Sequence, residues 1–170
     1  MIVAETNRLI ISKFTLKDAL FFLELVNTPN WLKYIGDKNI KSVQEAKNNI
    51  KEGHFKSYQT NGFGFYKVMI KEEQNKPIGT CGLIKRDTLE FVDMGFAFLP
   101  EYEKKGYGYE ASVEIMKLAK EQFGIEKLVA ITNTDNINSI KLLEKLGLIF
   151  EKRVKPFEDD KELLLFAKNL

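Results

Sequence analysis

Two lysines and two glycines stand together in the middle of the chain, at Lys104, Lys105, Gly106 and Gly108. Glycine lets a backbone bend tightly and come close to a ligand, and the first N–H groups of a following helix have no partner inside it. These free donors, the positive end of the helix dipole and the two lysines favour an anion. The residue types therefore predict a site for phosphate or pyrophosphate, such as that of a nucleotide-like cofactor.

The flanking elements would hold these residues in a strand-to-helix turn. Met94 to Leu99 is an apolar run typical of a strand, and apolar residues recur at helical spacing from Val113 to Ala119. The pattern Gly106-x-Gly108-x-x-Ala111 also fits the fingerprint of a dinucleotide fold. A glycine pair that only makes a tight connection is the third interpretation.

The rest of the chain predicts the element order βααβββαβαββ. The predicted strands are Leu9–Ile11, 63–70, 78–84, 89–99, 128–132, 149–154 and 163–167, and the predicted helices begin near Ala19, Ser42, Gly106 and Asn136. Short turns join antiparallel strands, so an antiparallel meander precedes the glycine turn. A dinucleotide fold instead puts its glycine loop after the first strand of a parallel unit, which makes that interpretation the weaker one.

Composition limits the class of protein. A chain of 170 residues with 44 % hydrophobic and 29 % charged residues fits one domain spanning residues 1–170. A net charge of +2 with interspersed signs argues against general nucleic-acid binding, and no apolar run could cross a membrane. Cys81 and His54 are the only residues of their types, so we expect neither a disulfide nor a metal site, and a reducing, cytoplasmic setting fits best.

Three segments together resemble a known family. Met94–Ala111, Thr132–Ser139 and Leu142–Gly147, at these mutual distances, resemble the GCN5-related N-acetyltransferase (GNAT) superfamily, and Thr6–Leu9 is similar to the opening of its ribosomal-protein N-terminal acetyltransferase branch. The resemblance covers almost the whole chain. It implies an α+β fold with a mixed, mostly antiparallel twisted sheet of about seven strands and four helices. The strand before the glycine turn would splay from the strand that follows the next helix.

The resemblance also implies acetyl-CoA as co-substrate, lying in the opening between the splayed strands. Its pantetheine arm would pair with the backbone of Phe96, Ala97 and Phe98. Its pyrophosphate would accept hydrogen bonds from the backbone N–H groups of Lys105, Gly106, Tyr107, Gly108 and Tyr109, next to Lys104. Asn136 and Ser139 match an Asn-x-x-Ser element that faces the thioester end of the cofactor.

The chain departs from the family pattern at two positions. Glu103 stands where the family usually has arginine or glutamine, and its carboxylate would repel phosphate unless it points away or pairs with Lys104 or Lys105. Many relatives carry a tyrosine as general acid where this chain has Leu143. These departures suggest an alternative to the N-acetyltransferase hypothesis, namely a catalytically silent acyl-CoA sensor. A nicotinamide-dependent oxidoreductase is the third hypothesis.

Acetyl transfer to an amine needs a base for the amine proton and a proton donor for the departing thiolate. Ser139, at a helix N-terminus, is the candidate donor, with a capping hydroxyl as its structural alternative. Glu90 and Asp93, on the strand that enters the cleft, are candidate bases, with solvated edge residues as the alternative. No covalent intermediate is required, so we expect Cys81 to be an inert strand residue.

The acceptor is the least determined partner. Trp31 and Tyr34 occupy the connection between the first two helices, where the family builds part of its acceptor wall, so they are candidate substrate-binding residues. His54 lies in a lysine-rich helix and is expected to be solvated. A protein N-terminal α-amine and a small-molecule amine both remain open as acceptors, as do a monomer and a homodimer.

Overall fold

The computed structural model describes residues 1–170 and is built on one sheet. Its strands are β1 (Ile2–Glu5), β2 (Leu9–Ser12), β3 (Phe65–Ile70), β4 (Lys76–Ile84), β5 (Val92–Phe98), β6 (Lys127–Thr132), β7 (Ile149–Val154) and β8 (Leu163–Asn169). Its α-helices are α1 (Ala19–Val26), α2 (Val43–Asn49), α3 (Lys56–Asn61), α4 (Tyr107–Phe123) and α5 (Ile137–Lys145). The strand order is β1-β2-β3-β4-β5-β6-β8-β7, and only β5 and β6 are parallel.

Helices cover the centre of the sheet on both faces. Successive residues of β4 from Ile78 to Leu83 are all buried, although alternate side chains of a strand point to opposite faces. Helix α4 packs against β2, β4 and β5 and buries Ala111, Ile115 and Ala119, which recur every fourth residue on one face. No helix is both long enough and apolar enough to span a bilayer.

The predicted fold class is confirmed, with three differences in the elements. The strand β1 was not predicted, and it pairs with β2 at the edge of the sheet. The helix predicted from Ser42 to about Tyr58 is observed as three consecutive elements, namely α2, a π-helical turn at Ile50–Phe55 and α3. The last of them ends at Asn61. The strand that was predicted to begin at Leu89 begins at Val92, and Leu89 to Phe91 belong to the preceding connection.

Strands β5 and β6 are joined only at their beginnings. Val92 pairs with Leu128 and Asp93 with Val129, and no later pair of residues connects the two strands. Beyond that point β5 continues along β4 and β6 continues along β8. The sheet therefore opens into a V, as the family resemblance predicted, and one edge of β5 from Met94 to Phe98 has no strand beside it.

Candidate active site

A cavity of about 940 Å³ occupies the opening between β5 and β6. Its volume lies in the range of small-molecule sites. The predicted site residues that line it are Trp31, Tyr34, Asp93, Phe96, Ala97, Phe98, Lys104, Gly106, Gly108, Tyr109, Asn136 and Ser139. Lys105 and Tyr107 lie beside it in the glycine turn. The remaining candidate, Glu90, is exposed in the connection before β5 and does not line the cavity.

The glycine turn presents a row of free backbone donors. Lys104 and Gly106 have φ angles of +59° and +84°, so the backbone passes through the left-handed region twice within three residues. No backbone N–H group from Lys104 to Tyr109 donates a hydrogen bond within the protein, whereas the N–H of Glu110 donates to Gly106 O at 3.0 Å. Consecutive unpaired N–H groups in such a turn form a concave anion site.

Arg8 holds this turn against the start of the chain. Its Nε donates to Glu110 Oε2 at 2.6 Å, its Nη1 donates to Lys105 O at 3.1 Å, and its guanidinium lies 4.4 Å from the centre of the Tyr107 ring. Thr6 Oγ1 donates to Glu110 Oε1 at 2.5 Å. These bonds explain what Thr6–Leu9 does in the structure, and they leave the Tyr107 side chain buried beneath the turn rather than in the cavity.

The beginning of α5 forms another wall of the cavity. Asn136 caps the helix, since its Oδ1 accepts a hydrogen bond from the Ser139 N–H at 3.3 Å. The Ser139 hydroxyl makes no hydrogen bond within the protein and is only half-buried. The capping role that could have occupied Ser139 is thus taken by Asn136, which leaves the hydroxyl available to a ligand.

The segment that carries Trp31 and Tyr34 is a π-helical turn, Trp31–Ile35, and it is bonded to both arms of the V. Just before it, Asn30 Nδ2 donates to the two Glu103 carboxylate oxygens at 3.0 and 3.1 Å. Within it, Tyr34 O accepts a hydrogen bond from Asn133 Nδ2 at 2.8 Å, directly after β6. Glu103 thus pairs with an amide and not with Lys104 or Lys105, so its charge remains near the glycine turn.

Asp93 is the buried acid of the cavity, 3 % exposed, at the point where β5 and β6 part. Arg86 Nε donates to its Oδ2 at 2.8 Å. Burial nonetheless raises the pKa of the Asp93 carboxyl to about 6, against the opposing charge of Arg86. The group therefore changes protonation close to neutral pH, as a catalytic base does.

His54 was wrongly predicted to be solvated. Its ring centre lies 4.4 Å from that of Phe14 and 5.1 Å from that of Phe22, and its Nδ1 is buried without a partner. Burial and the charge of Lys38 lower the pKa of His54 to about 4, so the ring is neutral at physiological pH. Cys81, by contrast, is an inert strand residue as expected, because burial raises the pKa of its thiol to about 12.

Several cavity residues were not predicted from the sequence because they lie in connections that only the tertiary fold brings to the cavity. Arg86 follows β4, Lys38 follows the π-helical turn, and Phe157 lies between β7 and β8, yet all three line the cavity. Asn133 directly follows β6, within a segment that the family resemblance had already singled out. Of these residues, only Asn133 could have been suspected from its position in the chain.

Comparisons with known proteins agree with this geometry. The family model described as acetyltransferase (GNAT) domain matches residues 8–149. The chain is 24% identical over 143 residues to the uncharacterized N-acetyltransferase YnaD of Bacillus subtilis, covering 84% of this chain and 80% of that protein. A GNAT-family acetyltransferase from Bacillus anthracis superposes with a TM-score of 0.78 at 24% identity, covering 99% of this chain and 97% of that one.

RimL, a ribosomal L7/L12 α-N-protein acetyltransferase solved in complex with coenzyme A, superposes with a TM-score of 0.84. The two chains are 14% identical, and the superposition covers 100% of this chain and 98% of RimL, so the likeness is one of fold. The match of the family model over most of the chain shows more than the fold. The chain belongs to the GNAT family of acetyltransferases.

Proposed function

We propose that this protein is an N-acetyltransferase that moves an acetyl group from acetyl-CoA directly to a primary amine in a ternary complex. The acceptor would be a protein N-terminal α-amine or a small-molecule amine, and the setting cytoplasmic. The observation that carries the proposal is the row of unpaired N–H groups from Lys104 to Tyr109 at the open end of the splayed strands. A diphosphate would satisfy these donors, and few other ligands would.

The residues present fit acetyl-CoA along the rest of the cavity. The unpaired edge of β5 at Phe96, Ala97 and Phe98 offers backbone groups to the two amides of a pantetheine arm, as an added strand would. Lys104, Lys141 and Lys145 line the cavity near the glycine turn and α5, where phosphates would lie. When bound, acetyl-CoA supplies an acetyl thioester that an amine can attack.

Asp93 is the base that we assign to the amine. In the step proposed here, a C–N bond forms between acceptor and acetyl group, the C–S bond breaks, and Asp93 takes the proton of the amine. The Ser139 hydroxyl, free of any other hydrogen bond, donates a proton to the departing thiolate and recovers one from water. Trp31 and Tyr34 would wall the acceptor, and Glu90 has no part because it lies outside the cavity.

Two measurements test the proposal. Isothermal titration should show acetyl-CoA binding at micromolar to millimolar concentration, and an assay of free thiol should show amine-dependent release of CoA. Absence of binding would overturn the proposal at its root. Binding without turnover against protein extracts and an amine panel would instead favour the silent acyl-CoA sensor, which the absence of a tyrosine at Leu143 keeps as the second candidate.

A further inference from the structure

The lining of the cavity is strongly basic although the chain as a whole is nearly neutral. Six lysine or arginine residues line it but only two acidic residues do: Lys38, Lys85, Arg86, Lys104, Lys141 and Lys145 against Asp93 and Glu103. Both acids are already engaged, Asp93 by Arg86 and Glu103 by Asn30. Six positive charges thus outnumber two negative ones, and the cavity favours ligands with negative charge.

The six basic residues form two groups at opposite ends of β5. Lys104, Lys141 and Lys145 belong to the glycine turn and to α5, where the phosphates of acetyl-CoA would account for them. Lys85 and Arg86 follow β4, whose last residue pairs with Asp93 at the start of β5, and Lys38 belongs with them because the charge of Arg86 acts on it. Asp93 and Phe98 are five residues apart, which at about 3.3 Å per residue is about 16 Å, so one diphosphate could not serve both groups.

The second group has unused capacity to bind an anion. Arg86 gives its Nε to Asp93, but neither of its Nη atoms donates a hydrogen bond within the protein. Its guanidinium is held 5.2 Å from the centre of the Phe157 ring. Lys38 has no ion pair, and partial burial together with the charge of Arg86 lowers its pKa, although the residue as a whole remains exposed.

Unpartnered buried atoms surround the same region. Four polar atoms are buried without any hydrogen-bond partner, and all four residues line the cavity: Trp31 Nε1, His54 Nδ1, Thr132 Oγ1 and Asn133 Oδ1. Trp31 is 8 % exposed and Asn133 5 %. Buried polar groups are nearly always hydrogen-bonded in folded proteins, so four unpartnered atoms on one cavity favour a polar occupant.

We infer that the acceptor is an amine that also carries a carboxylate or phosphate a few bonds from its nitrogen. Lys38 and the Nη atoms of Arg86 bind this acidic group, while the amine nitrogen lies at Asp93. The short span follows from the direct contact between Arg86 and Asp93. The inference rests on the proposed function, and it disfavours polyamines and amine antibiotics, whose additional positive charges would meet a cavity with six basic and two acidic residues.

The test uses pairs of amines with and without the acidic group, with kcat/KM corrected for the unprotonated fraction of each amine: glycine and glycinamide, glycylglycine and glycylglycinamide, phosphoethanolamine and ethanolamine. We expect the anionic member of at least one pair to have a kcat/KM at least about tenfold higher, the gain expected from a charge-assisted hydrogen bond. The pairs also separate carboxylate from phosphate. The substitution Lys38→Gln should reduce that ratio about tenfold.

Lys51→Gln is the matched control, because Lys51 is an exposed lysine of the neighbouring π-helical turn that does not line the cavity. It should leave the ratio unchanged. The inference is wrong if the neutral member of every pair is the equal or better acceptor, or if Lys38→Gln leaves the preference intact. Where turnover is too slow to measure, the dissociation constants of the two members of each pair for the CoA-saturated enzyme are compared in place of kcat/KM. Failure to bind acetyl-CoA would instead refute the proposed function.

Discussion

Asp93 is subject to two opposing influences on its pKa. Burial favours the neutral form of its carboxyl, whereas the contact with Arg86 favours the charged form. The effect of burial is the larger, so the pKa lies at about 6 rather than near 4. Above pH 6 the carboxylate predominates and can accept a proton. Below pH 6 the protonated form predominates and cannot.

Replacing Asp93 by Asn should therefore change the shape of the pH profile as well as the rate. We expect Asp93→Asn to lower kcat/KM by about 10²- to 10⁴-fold at pH 7. In the unsubstituted protein kcat/KM should be level between about pH 6 and the pKa of the acceptor amine and should fall below pH 6. In the variant it should instead rise steadily up to the pKa of the amine, since only acceptor molecules that are already deprotonated react.

The control for this prediction is the dissociation constant of acetyl-CoA, which should change less than about twofold because Asp93 is far from the glycine turn. Thiol-release rates from pH 5 to 9 give the profiles. If the variant keeps both the level region and the fall below pH 6, Asp93 is not the base.

At the scale of elements, the proposed function depends on backbone groups that two neighbouring segments leave unpaired. The edge of β5 from Met94 to Phe98 lacks a strand, and the glycine turn from Lys104 to Tyr109 lacks acceptors. Amide hydrogens without hydrogen bonds exchange rapidly with solvent, and they slow when a ligand accepts them. Ligand binding should thus be visible in these two segments.

Hydrogen–deuterium exchange followed by mass spectrometry checks this expectation. CoA should slow exchange in both segments by at least about tenfold, while pantetheine, which lacks the diphosphate, should slow it only in Met94–Phe98. Peptides from the middle of α4, around Ile115, serve as the control and should not change, since their amides already have partners within the helix. If CoA did not slow exchange in the glycine turn, or if pantetheine slowed it equally, the assigned diphosphate site would be wrong.

The predicted and observed elements differ where the sequence pattern is weak or not local. Period-two strands, glycine caps and the apolar stripe of α4 are local features, so the meander, the turn and the helix were predicted near their observed bounds. The strand β1 was missed because four residues with little alternation carry a weak pattern. The burial of His54 depends on packing against Phe14 and Phe22 of a distant segment, which no local pattern records. Arg86 and Asp93, by contrast, meet within the β4–β5 hairpin.

At the scale of the whole molecule, one cavity joins the glycine turn to Asp93 and Arg86. The segment Asn30–Ile35 lines the cavity and connects the two arms of the V, since Asn30 donates to Glu103 on one arm and Tyr34 O accepts from Asn133 on the other. Donor and acceptor would therefore share a single space. A mechanism in which an acetylated enzyme forms first would need a nucleophile, but Cys81 does not line the cavity and its thiol remains protonated at neutral pH.

Steady-state kinetics should accordingly be sequential. Double-reciprocal plots of rate against amine, at several fixed concentrations of acetyl-CoA, should intersect, because both substrates must be present before either product leaves. Parallel lines would indicate an acetylated enzyme and refute the ternary complex.

Cys81→Ala provides the independent check. The variant should retain at least about half of kcat and should lose roughly 1 kcal/mol of unfolding free energy. The Cys81 side chain is fully buried on β4, and its only hydrogen-bond contact is Ser112, at 3.7 Å. If the variant folds but no longer turns over, Cys81 is a candidate nucleophile after all.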